Sequence, residues 1–204
     1  MVLGELPDDE LIAMIKDRIA KKDRPNLWFN PGAGTSASSR EDWDDPLLRD
    51  TVSPQQIQAQ VGEQLAKMTP ESTERARQNL RKMGAENALK LRAAGMKIVL
   101  GSDTGQTRFF IGWSGQLEFE NWVRMGLTPS EAIVSATRDS ADAAHLNTGL
   151  VAAGRSADFI VLDANPLENI ANSRKINKVY LRGQEVDRAA LRAKWKSEWS
   201  RATQ

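Results

Sequence analysis

Residues 97–105 read KIVLGSDTG, and this stretch decides how the chain around it is interpreted. The apolar run Ile98 to Leu100 predicts a buried strand, which follows a helical segment that ends at Gly95. A helix, a glycine and an apolar strand in this order are typical of a parallel α/β sheet. Asp103 lies just past the strand, at the edge of such sheets where ligands and catalytic groups gather. Asp and Gly also form ordinary turns, so a purely structural role for Asp103 stays open at this point.

The rest of the chain is predicted to form helices and short strands around this stretch. Apolar residues at helical spacing, start signals such as Ser53-Pro54 and Thr128-Pro129, and terminal glycines predict the helices. A polar stretch, residues 35–50, predicts a surface loop. The predicted helices cover residues 8–22, a segment that starts at 53, 69–94, 116–125, 128–137, 140–146 and 187–201; the predicted strands cover 27–29, 96–100, 157–163, 175–182 and 184–186.

Composition excludes several classes of function. The 204 residues include no cysteine, which excludes disulfides, thiolate metal sites and cysteine nucleophiles. His145 is the only histidine, so this chain alone cannot build a His-rich metal cage. The formal net charge of +1 gives no reason to expect nucleic acid or an anionic membrane as a partner. The sequence has no apolar run of about 18 residues and no visible export signal, and it leaves the localisation open.

Several blocks of the C-terminal half resemble the amidohydrolase superfamily. They are KIVLGSDTG (97–105), LEFENWVRMGLTPSEAIVSAT (117–137), GLVAAGRSADFIVLDANPLENI (149–170) and KVYLRGQEV (178–186). The sequence is most similar to the imidazolonepropionase-like and metal-dependent prolidase-like branch. The blocks occur in the family's order and together cover residues 95–186. Residues 8–31 also resemble the family's sixth helix and seventh strand.

The resemblance implies an α/β fold. The chain would supply the last part of a (β/α)8 TIM-type barrel, about strands 7–8 with their helices, and C-terminal strands of a small β-sandwich. The implied organisation is a partial barrel over 1–147, sandwich strands over 148–187 and a C-terminal helix over 188–204.

The resemblance also assigns Asp103 a chemical role. In the family this aspartate is a ligand of a catalytic divalent metal such as zinc, and it relays the proton of the metal-bound water. The implied activity is metal-dependent hydrolysis of a carbon–nitrogen bond in a cyclic amide or a dipeptide-like substrate. A carboxylate suits this task because it can accept a proton from water and pass it to the leaving nitrogen.

The sequence departs from the family in its missing ligands. The family's other ligands, a His-x-His, often a carboxylated lysine, and two further histidines, come from earlier strands that this chain lacks. A (β/α)8 barrel takes about 250 residues, so we expect the chain to be a C-terminal part that needs a missing N-terminal barrel portion. Such a part would be unstable alone, and a homo-oligomer is possible. The alternative is a catalytically inactive remnant that acts as a binding or assembly module, or half of a split enzyme.

Three further residues are candidates for substrate contact, each with an ordinary alternative. Gln116 follows Gly112-Trp113, where relatives often have a histidine, but it also fits an exposed helix start. Asn30 ends the predicted seventh strand and would point at the same catalytic mouth, although Asn30 and Pro31 also favour a turn. Arg108 belongs to a basic and aromatic loop that would either line a pocket or stack on itself.

Other conspicuous side chains have structural interpretations. His145 lies in a helix where the family has ordinary helical residues. Trp195 and Trp199 lie four residues apart on one face of the last helix, a spacing that indicates core or domain packing.

Overall fold

The computed structural model describes residues 8–21, 26–31, 40–79, 85–102, 104 and 109–202. Within these ranges the helices are α1 (Asp9–Ala20), α2 (Arg40–Trp43), α3 (Pro46–Thr51), α4 (Pro54–Lys67), α5 (Pro70–Asn79), α6 (Glu86–Ala93), α7 (Trp113–Arg124), α8 (Pro129–Val134), α9 (Ser140–Ala143) and α10 (Arg188–Ala202). The strands are β1 (Trp28–Phe29), β2 (Lys97–Ile98), β3 (Phe159–Leu162), β4 (Ile176–Leu181) and β5 (Gln184–Glu185). A π-helical turn (Ser135–Asp139) joins α8 to α9, and a 3-10 helix (Ile170–Arg174) precedes β4.

Local sequence signals set several of these helix ends. Ser53 and Thr128 each close a capping box at the start of α4 and α8, which satisfies backbone N–H groups that a helix leaves free. Gly95 follows α6 with a φ of +102°, a conformation that glycine adopts without strain. The predicted helix starts at residues 53 and 128 are confirmed, and so is the predicted helix end at Gly95.

The strands form two separate sheets. Strands β1 and β2 pair in parallel, with Trp28 opposite Lys97 and Phe29 opposite Ile98. Strands β3, β4 and β5 pair antiparallel in chain order, and Phe159 stacks on Tyr180 with ring centroids 4.6 Å apart. The predicted strand positions are confirmed, while the barrel, the sandwich and the domain boundaries stay predictions.

The described core consists of three apolar clusters. One surrounds the buried Trp122 and includes Ile98 of β2. A second surrounds the buried Trp113 and includes Trp43 and Leu48. A third lies between α1 and α6. Helix α7 contributes to the first two clusters, so it connects the strand pair to the helices that precede it.

Residues 40–51 correct the predicted surface loop. They form α2 and α3, and the side chains of Trp43 and Leu48 are only 3% and 0% exposed. Asp45 caps α3 by accepting a 2.8 Å hydrogen bond from the backbone N–H of Leu47, and Pro46 occupies the first turn. This cap and proline form a helix start despite the polar surroundings.

The helix predicted over 69–94 is described as α5 and α6, and residues 80–84 between them lie outside the described ranges. One other prediction differs from the structure. Helix α7 begins at Trp113, three residues before the predicted start at 116. On α10, Trp195 is 42% exposed, so it is not packed in a core of this chain, and the domain packing that its spacing with Trp199 also indicated stays a prediction. None of the described helices is long and apolar enough to cross a bilayer.

Candidate active site

The carboxyl ends of β1 and β2 lie side by side. The backbone N–H of Lys97 donates to the carbonyl of Leu27 at 2.8 Å, and that of Val99 donates to Phe29 at 3.0 Å. Both strands therefore end in the same direction, and the segment that leads to Asp103 starts beside Asn30. This is the edge at which parallel α/β folds gather functional groups.

Two side chains hold the backbone immediately after β2. The Asn30 amide Nδ2 donates to the carbonyl of Gly101 at 2.7 Å. The backbone N–H of Leu100 donates to Oγ of Ser140 at 2.9 Å, and that hydroxyl donates to the carbonyl of Ser135 at 2.7 Å. Asn30 therefore contacts the segment that contains Asp103, and it does so by a long-range bond rather than by a turn alone.

Asp103 and Arg108 lie outside the described residues, so their assignments stay predictions. The described neighbours of Asp103 in the chain, Ser102 and Thr104, are small and polar. Oγ of Ser102 and Oγ1 of Thr104 lie 2.6 Å apart and share a hydrogen bond. The first turn of α7 approaches the same segment, because a Cβ added to Gly115 would lie 4.0 Å from Oγ of Ser102.

Gln116 belongs to a different polar cluster. Its side chain is half-buried rather than exposed, and Nε2 donates to Oε1 of Glu120 at 3.1 Å and to Oγ of Ser173 at 2.6 Å. Glu120 and Ser173 are themselves buried. The amide hydrogens of Gln116 are therefore directed at Glu120 of α7 and at Ser173 of the 3-10 helix.

Arg174 is the centre of this second cluster. Its guanidinium pairs with the carboxylates of Asp45 and Glu120, which are only 9% and 7% exposed. Burial alone would lower the pKa of Arg174, but hydrogen bonds to Glu120 and Asp45 raise it above its ordinary value. A guanidinium so paired stays charged, and its ion pairs join the 3-10 helix to α3 and α7.

Lys97 of β2 forms ion pairs with carboxylates of the π-helical turn and of α9. Lys97 Nζ lies 3.6 Å from a carboxylate oxygen of Asp139 and 3.9 Å from one of Asp142. Asp139 also accepts a 3.1 Å bond from Nε of Arg138. The sequence did not point to Ser140 or Arg174, because each bonds to a partner far away in the chain. Leu100 lies 40 residues from Ser140, and Asp45 lies 129 residues from Arg174.

The described residues alone do not fit a catalytic metal. No group of three histidine, aspartate or glutamate side chains gathers among them closely enough to hold an ion. His145, the only histidine, is exposed after α9 with a φ of +55°. A catalytic zinc takes about three protein ligands, so the ligands implied by the resemblance are not present in this part of the chain.

Comparison with known families gives one match. The model of the amidohydrolase family matches residues 52–186. The chain belongs to the amidohydrolase family. The matched range contains β2, the segment up to and beyond Asp103, helix α7 and the three antiparallel strands.

Solved structures similar to this amidohydrolase support the same fold. A putative prolidase from Bifidobacterium longum is 26% identical with a TM-score of 0.61, over 91% of this chain and 41% of its own. Phenylurea hydrolase B is 25% identical with a TM-score of 0.57, over 92% of this chain and 38% of its own. A further structure described as an amidohydrolase, 23% identical with a TM-score of 0.52, supports the fold alone, over 90% of this chain and 38% of its own.

These comparisons also define how much of a relative the chain represents. It spans about two-fifths of the length of the first two solved structures. No curated protein matches the chain. The family and its neighbours imply a fold derived from the TIM barrel, in a chain that mixes helices with two short sheets.

Proposed function

We propose that this chain forms the C-terminal part of a hydrolase that acts on carbon–nitrogen bonds. The observation that carries the proposal is the family match over residues 52–186, which includes the strand that leads to Asp103. In this proposal, β1 and β2 are the last two strands of a barrel, and β3–β5 belong to a small β-sandwich. The chain covers only about two-fifths of the length of each of the first two solved structures, which supports a partial barrel.

Asp103 is the proposed acid–base residue of this part. It follows Ser102 at the carboxyl end of β2, beside the end of β1. A carboxylate there can accept a proton from an attacking water and return it to the leaving nitrogen. Members of this family generally use a divalent metal, which lowers the pKa of a bound water toward neutrality. Asp103 would hold one position on that metal, and the other ligands would come from sequence outside this chain.

The substrate class follows from the similar structures and remains part of the proposal. One is described as a putative prolidase and another as phenylurea hydrolase B. A small amide or peptide-like molecule with a hydrolysable carbon–nitrogen bond is the class that we propose. Asn30, Gln116 and Arg108 are retained as candidate substrate contacts of lower rank, since the amides of Asn30 and Gln116 already bond within the protein.

The proposed partner of this chain is the missing N-terminal barrel portion. Strand β3 has only β4 as a neighbour in the described sheet, and its residues Phe159, Ile160 and Val161 are 36%, 49% and 39% exposed. An apolar edge strand of this kind is a pairing site in the absence of a cover. This exposure supports an assembly in which further chain covers the sheet.

The test uses the complete reading frame that contains these 204 residues. The purified protein is assayed with divalent metal against Xaa-Pro dipeptides, N-acyl amino acids and phenylureas. We expect hydrolysis of at least one class and a loss of at least about a hundredfold in kcat for Asp103→Asn. Asp17→Asn is the control, because Asp17 is an exposed partner of Lys21 on α1.

Two results would reject the proposal. One is turnover in Asp103→Asn that equals turnover in Asp17→Asn. The other is a folded, soluble 204-residue chain without metal or hydrolase activity and with no further reading frame beside it, which would favour a binding or assembly module instead.

A further inference from the structure

We propose that Asn30 and Ser140 are positioning residues that fix the backbone on which Asp103 is carried. The inference deepens the proposed function and rests on the role of Asp103 stated there. It starts from the two side-chain hydrogen bonds that hold Leu100 and Gly101, the residues directly before Ser102 and Asp103.

Among the described residues, the strand ladder lacks its next hydrogen bond at this segment. The described hydrogen bonds of the parallel pair end with the 3.0 Å bond from the N–H of Val99 to the carbonyl of Phe29. Two residues after Phe29 the chain has Pro31, which carries no N–H and cannot continue the ladder. The backbone beyond Val99 therefore needs other partners if it is to hold one conformation.

Asn30 supplies a donor at this point. Its amide Nδ2 lies 2.7 Å from the carbonyl oxygen of Gly101. The approach requires a residue without a side chain, because a Cβ at position 101 would lie 1.9 Å from that nitrogen. Glycine at 101 is thus explained by the space that Asn30 occupies rather than by an unusual φ.

Ser140 supplies an acceptor to the preceding residue. Its Oγ accepts the N–H of Leu100 at 2.9 Å and donates to the carbonyl of Ser135 at 2.7 Å. The donation fixes the hydroxyl rotor, so the oxygen presents a lone pair to Leu100. The π-helical turn from Ser135 to Asp139 sets this geometry, since Ser135 and Ser140 lie five residues apart and their backbones also bond.

Two neighbouring residues are therefore held by side chains from opposite parts of the sequence. Asn30 follows β1, and Ser140 begins α9, whereas the held segment follows β2. The reacting carboxylate lies two residues beyond Gly101. An error of about 1 Å in the position of a reacting group can reduce a rate about a hundredfold, so restraint of this backbone has a direct kinetic consequence.

The experiment compares substitutions that remove each bond with substitutions that keep it. Ser140→Ala removes the acceptor, and Ser140→Thr retains a hydroxyl. Asn30→Asp keeps the shape of the side chain but replaces the donor with an acceptor. Ser130→Ala is the control, because Ser130 is an exposed residue of α8. The complete enzyme is used for kinetics, and hydrogen exchange of the Leu100 amide is measured in the same samples.

We expect the Leu100 amide to exchange about threefold faster in Ser140→Ala, a value at the low end for a hydrogen bond because the site is near the surface. We expect kcat to fall about tenfold or more in Ser140→Ala and Asn30→Asp, with KM within about twofold. Ser140→Thr should keep most of the wild-type kcat. Ser130→Ala should change neither kcat nor the exchange rate of the Leu100 amide. A structural role alone would lower stability without this separation of kcat from KM.

The results distinguish this inference from the proposed function. If Asp103→Asn is inactive while Ser140→Ala and Asn30→Asp keep wild-type kcat, the positioning role is wrong and the proposed function stands. If Ser140→Ala leaves exchange at Leu100 unchanged, the hydrogen bond has no restraining effect and the inference is wrong. If Asp103→Asn keeps full turnover, the proposed function is wrong, and the positioning role is rejected with it.

Discussion

The indole N–H of Trp113 donates a 3.0 Å hydrogen bond to Oδ2 of Asp45, and both side chains are buried. The same carboxylate caps α3 through the N–H of Leu47 and pairs with Arg174. One aspartate thereby connects α3, α7 and the 3-10 helix. The first turn of α7 also approaches the segment after β2. This connection therefore helps to hold α7 in place next to the candidate active site.

The first prediction concerns the charge balance of the ion-pair cluster formed by Arg174, Asp45 and Glu120. Arg174→Met leaves the carboxylates of Asp45 and Glu120 buried without their cation, so we expect a loss of about 3 kcal/mol in the free energy of unfolding. Urea unfolding of the complete protein that contains these residues measures it. Arg155→Met, at an exposed loop position, is the control and should change stability by less than about 0.5 kcal/mol. Equal stability of the two variants would contradict the structure.

A second prediction tests the helical segment 40–51 against the surface loop expected from sequence. Trp43→Ala removes a ring that packs on Trp113 with centroids 4.9 Å apart, so we expect a loss of about 3–5 kcal/mol. Trp195→Ala makes the same substitution on α10 at a side chain that is 42% exposed. Thermal or urea unfolding should separate the two variants clearly. Similar, small losses would mean that Trp43 lies on the surface after all.

Much of the fold was predictable because its signals are local. The run at 97–100 with Gly95 before it predicted β2, and capping boxes predicted the starts of α4 and α8. Residues 40–51 were missed because their polarity outweighed one weak signal, the pair Asp45-Pro46. The buried Asp45 pairs with the half-buried Arg174, and no local pattern points to a partner 129 residues away.

The candidate site was predictable only in part, for the same physical reason. The apolar run predicted the strand before Asp103, and the family resemblance implied that Asn30 points at the same catalytic mouth, while Asp103 itself lies outside the described residues. Ser140 gave no signal, because a serine in a helix is ordinary until its hydroxyl is seen to accept from Leu100. Gln116 was a candidate because relatives often have a histidine after the Gly-Trp pair, whereas its hydrogen bonds to Glu120 and Ser173 depend on tertiary packing that this resemblance does not give.

The third prediction concerns stability in acid. Hydrogen bonds from Arg92, and then from the backbone and hydroxyl of Thr128, lower the pKa of Glu131 to about 2. A carboxyl with a depressed pKa stabilises the fold above its unfolded pKa of about 4.3, and that contribution disappears as the pH falls toward 2.

Glu131→Gln should therefore reduce the difference in stability between pH 5.5 and pH 3. Because the Glu131 side chain is 36% exposed, we expect this reduction to be only about 0.5 kcal/mol. Urea unfolding at the two pH values measures it, with Glu63→Gln on the exposed face of α4 as the control. An unchanged pH dependence in Glu131→Gln would show that the contact with Arg92 has no energetic weight.

The last prediction tests whether Gly101 is required by Asn30. Gly101→Ala would put a Cβ 1.9 Å from Asn30 Nδ2, so the amide must turn away and its bond to the carbonyl of residue 101 is lost. We expect a cost of about 1 kcal/mol for this change in the wild-type chain. In the Asn30→Ala background the space is vacant, so the same change should cost little. The double-mutant cycle therefore predicts a coupling energy of about 1 kcal/mol between the two positions.

A matched glycine separates this steric effect from the general effect of adding a methyl group. At Gly115, in the first turns of α7, a new Cβ would meet, among the described residues, only Oγ of Ser102 at 4.0 Å, which is ordinary contact. Gly115→Ala should therefore be neutral or stabilise the chain by up to about 1 kcal/mol, because alanine favours the helix. Coupling near zero between positions 30 and 101 would mean that glycine at 101 serves a need other than the approach of Asn30.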